Sequence, residues 1–408
     1  MFRGWLFDIY PAEHGMTLWM IGTDGKRVRF DAPYNPSFFV AGSEYVLERV
    51  KGMFRRDKEQ PLPHAPRYKQ QATRNMRHAP VSFSMTERRD FWTGRAKTVV
   101  RVTTNVRNFN AVVKQVAKIS GAELYNCDIP LEQMYLYEKA LFPLALCEAE
   151  IAEDGTLTSI RACDSPWDVN YLLPPLEIFR LSVSGNNANP NYGGKGRALK
   201  LEVDGTEYLL EENELLDTFE DMLVRYDPDL ILTEWGDSFI IPRLTLMAER
   251  QGRPLSLNRE PNHRVATRRG SSYFSYGRIV YRAPLRTLCG RWHIDEENSF
   301  IASETGLDGL FELARLTKIP VQRLARTSPG TGISSMQLDM AIQDGVLIPW
   351  RKRMPEDFKT GLELLVSDKG GLVFLPKPGL HEKVMEIDFA SMYPALMVNH
   401  NISPETIN

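Results

Sequence analysis

The chain has 408 residues, 43% of them hydrophobic and 25% charged, with a formal net charge of −2. Such a length predicts two to four domains and the composition is that of a soluble globular protein, while a near-neutral charge confines any nucleic-acid affinity to local basic patches. Cys127, Cys147, Cys163 and Cys289 are widely spaced and form no C-x-x-C pair, which excludes a disulfide framework and a zinc knuckle.

In chain order, residues 1–50 read as short β-runs, with "TDGK" (23–26) as a hairpin turn between "MTLWMIG" and "RVRF". The opening "MFRGWLFDIYP" contains Asp8 and lacks the sustained apolar run of a signal peptide. No stretch approaches the roughly eighteen apolar residues of a membrane span, so the expected setting is cytoplasmic, without membrane partners. Arg55 to His78 is polar, basic and Pro-containing and predicts a loop or extended arm. "AKTVVRVTTNV" (96–106) predicts a strand, and "NAVVKQVAKISG" (110–121) a helix closed by Gly121.

From about Pro174 the rhythm becomes α/β. "LEIFRLSVSG" predicts a strand and "LKLEVDGTEYLL" a hairpin turning at Asp204-Gly205. In "ELLDTFEDMLVRY", Leu215, Leu216, Phe219, Met222 and Leu223 fall on one helical face. "DPDLILTEW" reads as a buried strand, and "IPRLTLMAERQG", "GLDGLFELARLT" and "SSMQLDMAIQDG" as helices. "KVMEIDF" predicts a strand leading into "EIDFASMYP" (386–394). In that strand Ile387 and Phe389 share one face and Glu386 and Asp388 the other. Pro394 suits the first turn of a helix, so strand, tight turn and helix are expected. The turn amides over Ala390–Tyr393 would then lie beside a carboxylate, an arrangement able to take phosphate oxygens and their Mg²⁺. A plainer alternative stays open on geometry alone: Asp388 bonds a turn and Ser391 caps a helix.

The string "VMEIDFASMYPALMVNHNISPETI" resembles motif A of family-B DNA polymerases, D-x-x-S-L-Y-P-S-I followed by N-[IL]-S-P-E-T, and "GGLVFLPKPGLHEKV" resembles its approach in archaeal-type members. The resemblance implies that Asp388 is catalytic, one of two carboxylates holding a pair of Mg²⁺ ions, with the Phe389 carbonyl as an auxiliary ligand. It places Phe389, Ala390, Ser391 and Met392 against the incoming dNTP, and Tyr393 under the sugar, excluding a 2′-hydroxyl. The implied fold is α/β and α+β multidomain. A mixed N-terminal domain spans 1–165 and is completed by about 346–380, an RNase H-like 3′–5′ exonuclease-type domain spans 171–345, and the palm begins at 381–408.

The middle region departs from the family pattern. The D-x-E of the first exonuclease motif reads "FRLSVSG", placing Ser182 and Ser184 at the two carboxylates, and "WGDSFIIPRL" places Ile240 at the second-motif aspartate. The third motif has no tyrosine in "SPGTGISSMQLDMAIQDG", although Asp339 and Asp344 are near. Glu177 and Asp237 fall at the wrong parity to stand in. A serine is a poor Mg²⁺ ligand, so the expectation is an inactive exonuclease, as in the exonuclease-disrupted branch of archaeal-type polymerases. The Y-x-G-G element reads "DKGG" (368–371), leaving Lys369, Gly370 and Gly371 as candidate DNA contacts without the tyrosine.

Between Arg259 and Arg291 eight arginines face one acid, Glu260, with tyrosines and a phenylalanine interleaved. Arg264, Arg268, Arg269, Tyr273, Tyr276 and Arg278 are therefore candidate DNA contacts, against the plainer reading of a solvated basic face. The "RRDFWTGRAK" stretch is a weaker candidate of the same kind. His263 and His293 lack a second histidine at ligand spacing and read as structural.

The D-T-D-S and K-x-x-x-N-S-x-Y-G motifs that complete such a polymerase do not occur here. The expectation is the N-terminal part, or the large subunit of a split form, of a family-B DNA-dependent DNA polymerase for accessory, repair or lesion-bypass synthesis. Its expected partners are primer–template DNA, dNTP, a C-terminal half carrying the missing motifs, and a sliding clamp as a further candidate. The alternatives are a non-catalytic DNA-binding or assembly protein on the same architecture, and a nuclease with rearranged ligands.

Overall fold

The computed structural model describes residues 1–55, 81–185, 189–192, 198–212, 214–253, 255–260, 263, 265–275, 278–350, 358–367, 374–403 and 406. The chain divides into two compact units, Met1–Lys352 and Arg353–Asn408. The arm expected after Arg55 and the "DKGG" element fall outside the described residues, as do Arg264 and Tyr276.

The first unit opens with β1 (Phe2–Pro11), β2 (Gly15–Gly22) and β3 (Arg27–Pro33), whose β2–β3 turn falls at the predicted "TDGK". Next come β4 (Ser37–Ala41), α1 (Glu44–Arg55), β5 (Ser82–Asp90), β6 (Ala96–Thr103), α2 (Phe109–Val116) and β7 (Glu123–Tyr125). After α3 (Leu131–Glu138) come β8 (Leu146–Ile151) and β9 (Leu157–Ala162), which extend the first sheet to the order β3-β2-β1-β8-β9. The strands β5-β6-β4-β7 make a second, antiparallel sheet of β-α-β-β-α-β connectivity. Strand periodicity sorts its faces: Phe38, Val40, Val100 and Val102 enter the core with Val112 and Val116 of α2, leaving Phe39, Val99, Arg101 and Tyr125 on the outer face.

A third sheet is built from β10 (Ile178–Val183), β11 (Leu199–Val203) and β12 (Thr206–Leu210), followed by α4 (Leu215–Tyr226), β13 (Leu230–Thr233) and α5 (Ile241–Arg250). Asp204 and Gly205 both take positive φ, 49° and 74°, the two-residue turn predicted for the β11–β12 hairpin. Two small hairpin pairs intervene, β14 (Ala266–Arg268) with β17 (Leu285–Thr287) and β15 (Ser271–Ser275) with β16 (Arg278–Arg282). Then β18 (Trp292–Asp295) closes the order β12-β11-β10-β13-β18. The first three strands are antiparallel and β10, β13 and β18 parallel, an RNase H-like sheet.

All five predicted apolar positions of α4 are buried against this sheet with Phe179, Leu181 and Ile231. Leu230 and Leu232 emerge on the other face, where Trp292 stacks on Phe7 at 4.0 Å and meets Trp19 and Ile21 of the first sheet. Alternation along one short strand thus ties two sheets together. The helix expected from Gly306 begins earlier, as α6 (Phe300–Thr317): the Ser299 hydroxyl caps it by accepting from Ala302 N, and Gly306 (φ 67°, ψ −170°) breaks it midway. After α7 (Val321–Leu324) and α8 (Pro329–Gln343), the chain returns as β19 (Val346–Leu347) alongside β5, and Leu347 covers Phe39, Val99 and Tyr125.

The second unit contains α9 (Gly361–Ser367) and α10 (Met392–His400). The strand predicted for "KVMEIDF" is absent. Residues 383–389 carry no ladder partner among the described residues, and an extended segment without one has nothing to satisfy its amides but water.

Candidate functional site

In the second unit Asp388 is exposed, and its Oδ1 accepts from Phe389 N at 2.8 Å. Ser391 takes left-handed backbone angles (φ 47°, ψ 48°) and its hydroxyl makes no cap bond, so the chain turns sharply into α10, with Ala395 N donating to Ser391 O at 2.9 Å. Pro394 is the third helical residue, where its missing N–H costs nothing. The predicted turn and helix are therefore present. Asp388 precedes the first helical residue, Met392, by four positions, and Tyr393, the second helical residue, is 70% exposed. The donors here, one carboxylate and the Phe389 carbonyl, are hard oxygens of the kind Mg²⁺ takes, but they are too few for two ions. Among the described residues no group of three His, Cys, Asp or Glu side chains is placed to hold a metal.

In the RNase H-like sheet, Ser182 lies on β10, on the face away from Phe179 and Leu181, and Ser184 follows just past the strand's end, its N donating to Ala198 O at 3.0 Å; both serines are half-buried. Ser182 lies across from Lys200 and lines a cavity of about 250 Å³ with Arg180, Thr233, Glu234 and Glu296. Burial holds the Glu296 carboxyl above its ordinary range. Ile240 is fully buried in the apolar cluster around Phe179. It ends a short π-helical turn, Gly236–Ile240.

Asp237, in that same turn, is fully buried and its oxygens are occupied. Oδ1 accepts from Arg286 N at 2.7 Å, and Oδ2 from Asn298 Nδ2 at 2.7 Å and Arg326 Nε at 3.1 Å. His293 Nδ1 lies 3.6 Å from Oδ1, while its Nε2 pairs with Thr233 Oγ1 at 2.9 Å. Burial pushes His293 down to about 4 and Asp295 up to about 6. Asp295 in turn receives Trp235 N and Asp237 N at 3.0 and 2.8 Å. Asp339 is paired with Lys318 Nζ at 2.6 Å. Asp237 and Asp339 are thus bound to cations and amides of the fold, while Asp344 is exposed at the end of α8.

The arginine-rich segment proves to be two populations. Arg259, Arg286 and Arg291 are internal braces: Arg291 donates to Pro228 O and Leu257 O at 2.6 and 2.7 Å, and Arg259 pairs with Asp227 and Asp229. Arg268, Arg269, Tyr273, Phe274 and Tyr281 are at the surface on and before the β15–β16 hairpin, with the Arg282 guanidinium 5.3 Å from the Tyr273 ring centre. Burial and the neighbouring Arg282 lower the Arg268 guanidinium. Arg278 is placed by its backbone, opposite Ser275.

A buried polar seam that was not anticipated joins the first and third sheets. Arg27 makes two bonds to Asp229, at 3.0 and 2.6 Å, and Asp229 also takes Arg259 and Glu177 N. Asp8 accepts from Gly290 N at 2.9 Å, and burial raises its carboxyl to about 7. Tyr10 donates to Glu260 at 2.7 Å. An aspartate in the otherwise apolar strand "GWLFDIY" was the one available signal.

Comparison with known proteins agrees with this architecture. The family model "DNA polymerase family B" matches residues 319–408. A DNA polymerase of Archaeoglobus fulgidus is 25% identical over 468 aligned residues, covering 99% of this chain and 54% of its own length. A DNA polymerase of Pyrococcus glycovorans is 25% identical over 336 residues, covering 70% and 41%. DNA polymerase 2 of Saccharolobus solfataricus is 32% identical over 105 residues, 26% of this chain and 17% of that one. The solved structure of the family B DNA polymerase from Pyrobaculum calidifontis superposes with a TM-score of 0.65 at 21% identity, over 99% of this chain and 57% of that one. Among the described residues no helix is long and apolar enough to cross a membrane. The chain spans 41% and 54% of the lengths of the Pyrococcus glycovorans and Archaeoglobus fulgidus polymerases, and over that span it resembles family-B DNA polymerases.

Proposed function

We propose that the chain is the N-terminal part, or the large subunit of a split form, of a family-B DNA-dependent DNA polymerase whose proofreading exonuclease is inactive. The observation carrying this reading is the Asp388–Tyr393 segment, in which an exposed carboxylate leads through a sharp turn at Ser391 into a helix start that bears an exposed tyrosine. In this reading Asp388 and the Phe389 carbonyl hold Mg²⁺, the amides around Ser391 and Met392 hold the triphosphate of the dNTP, and Tyr393 packs under the sugar. The ions would neutralise charge developing on the transferred phosphoryl group. Because one carboxylate cannot hold two ions, a C-terminal half with D-T-D-S and K-x-x-x-N-S-x-Y-G motifs completes the site.

The proposed division is an N-terminal domain over 1–165 completed by about 346–380, an inactive exonuclease-type domain over 171–345, and the start of the palm over 381–408. Inactivity is supported by Ser182, Ser184 and Ile240 at the motif positions and by the saturated partners of Asp237 and Asp339. Without proofreading, accessory, repair or lesion-bypass synthesis is the fitting role, on primer–template DNA and with a sliding clamp as a further partner. Arg268, Arg269, Tyr273 and the rest of the β15–β16 hairpin supply the exonuclease-type domain's DNA contacts.

The test is primer extension by the chain together with the complementary half, in Mg²⁺. Asp388→Ala is expected to abolish extension while leaving the circular dichroism unchanged. Full activity in that variant refutes the metal role; no extension by any combination, with DNA binding retained, favours a non-catalytic assembly protein. Mg²⁺-dependent 3′ trimming by the purified chain, lost on Asp237 or Asp339 substitution, would instead restore the nuclease reading.

A further inference from the structure

The β5–β6 hairpin ends in a turn whose geometry is over-determined. Asp90 Oδ1 accepts from Trp92 N, Thr93 N and Thr93 Oγ1 at 3.2, 2.9 and 2.9 Å, and Asp90 N and O bond Arg95 O and Gly94 N at 2.8 and 2.9 Å. This rigid turn presents Phe91 and Trp92, 52% and 53% exposed, with their rings edge to face at 4.6 Å. Two large aromatics held in water on a fixed support are costly unless something stacks on them. Trp92 also borders a cavity of about 390 Å³ together with Tyr125, Trp350, Asp90, Lys97 and Glu123, within the range of small-molecule sites.

Charge decides what would enter. Lys97 is committed to Glu123 and to Tyr125 Oη, at 2.6 and 2.7 Å, and sits 5.2 Å from the Tyr125 ring centre. Asp90 is spent on the turn and Glu123 on Lys97 and the Tyr125 hydroxyl. The charges left over are net positive: Arg89 and Arg95 are exposed and Arg88 lies over the Phe39 ring, against one remaining exposed acid, Glu87, and none of the four has an ion-pair partner among the described residues. A cationic peptide would meet uncompensated arginines, whereas a phosphodiester would find two guanidiniums flanking a stacking platform. A duplex hides its base faces, so the fitting ligand is single-stranded.

We propose that this hairpin tip is a single-strand nucleic-acid site, with one unpaired base stacked on Trp92 at the mouth of the cavity and Arg89 and Arg95 on the adjoining phosphates. It lies on the N-terminal sheet and does not depend on the polymerase reading. The experiment uses the full chain labelled with 5-fluorotryptophan, the Trp92 resonance being identified by its loss in Trp92→Phe. On titration with an oligothymidylate that resonance is expected to shift saturably, and with the matching duplex to stay. The double variant Arg89→Ala/Arg95→Ala should weaken binding read at Trp92 and flatten the log–log salt slope by about 1.4, roughly 0.7 per phosphate contact. If Trp92 alone carries the site, Trp92→Ala lowers oligonucleotide affinity by roughly 5- to 150-fold, with Trp92→Phe recovering most of it. A stationary Trp92 resonance while anisotropy shows the oligonucleotide bound elsewhere overturns the proposal. So does a resonance that moves with a lysine-rich peptide and not with the oligonucleotide.

Discussion

Replacing Asp237 by alanine is the sharpest probe of what became of the central site. In the wild type Asp237 is the anion that neutralises Arg326, whose side chain is only 3% exposed and which also donates to His293 O at 2.8 Å. Removing the carboxylate strands that cation and Arg286 N, and leaves the Asn298 amide with only Pro284 O as partner. Breaking one partner of a buried pair costs about 3–5 kcal/mol. For a folding unit of 150–250 residues that corresponds to a melting-point drop of roughly 6–20 °C. The assay is a thermal melt of wild type, Asp237→Ala, and the double variant Asp237→Ala/Arg326→Met, each with and without millimolar Mg²⁺. The double variant should regain part of the loss, since an apolar pair replacing a buried ion pair is often tolerated. Mg²⁺ should not raise the wild-type melting point selectively. A loss under about 1 kcal/mol would refute the structural role, and a Mg²⁺ stabilisation seen only when Asp237 is present would show instead that the carboxylate is a metal ligand.

Three further outcomes can be checked. Asp8 carries a carboxyl that burial raises to about 7, above its unfolded value near 4, so its stabilising contribution is complete below about pH 4 and is lost as pH rises through about 7; in denaturant melts Asp8→Asn should flatten the pH dependence across that window, and a wild-type-minus-variant difference that is constant with pH contradicts this. Gly290 has φ 71°, and a Cβ there would lie 2.6 Å from the Trp19 indole, so Gly290→Ala should cost about 2–5 kcal/mol in unfolding free energy; a neutral effect would mean the two sheets are not packed as described. Tyr393→Ala should raise ribonucleotide incorporation by the completed polymerase, and unchanged sugar selectivity in a competition assay counts against the gate.

Much of this architecture was legible because burial imprints a period. The α4 face from Leu215 to Leu223 and the Asp204-Gly205 turn needed only local rules. The strand expected at "KVMEIDF" failed because alternation describes a face, and pairing needs a neighbour that no described segment provides. The roles of Asp237 and Asp8 were hidden for a different reason: their partners lie 49 to 89 and 282 residues away in sequence. Charge counts misled in the same manner, since Arg259, Arg286 and Arg291 read like the surface arginines beside them yet bind carbonyls and carboxylates inside the fold. The turn at Ser391 was foreseen; the left-handed backbone there was not, because no glycine marks it.

The return of the chain at β19 has a temporal consequence. Ile348 N donates to Asn126 Oδ1 and Asn126 N to Ile348 O, a closure across 222 residues. During synthesis the outer edge of β5 therefore stays unsealed until everything between has emerged from the ribosome. The intervening RNase H-like sheet must mature as a guest inside a host still lacking its last seam. Chaperone demand should peak in that interval, and a truncation just short of Gly345 would leave the host edge permanently open to pairing with other chains.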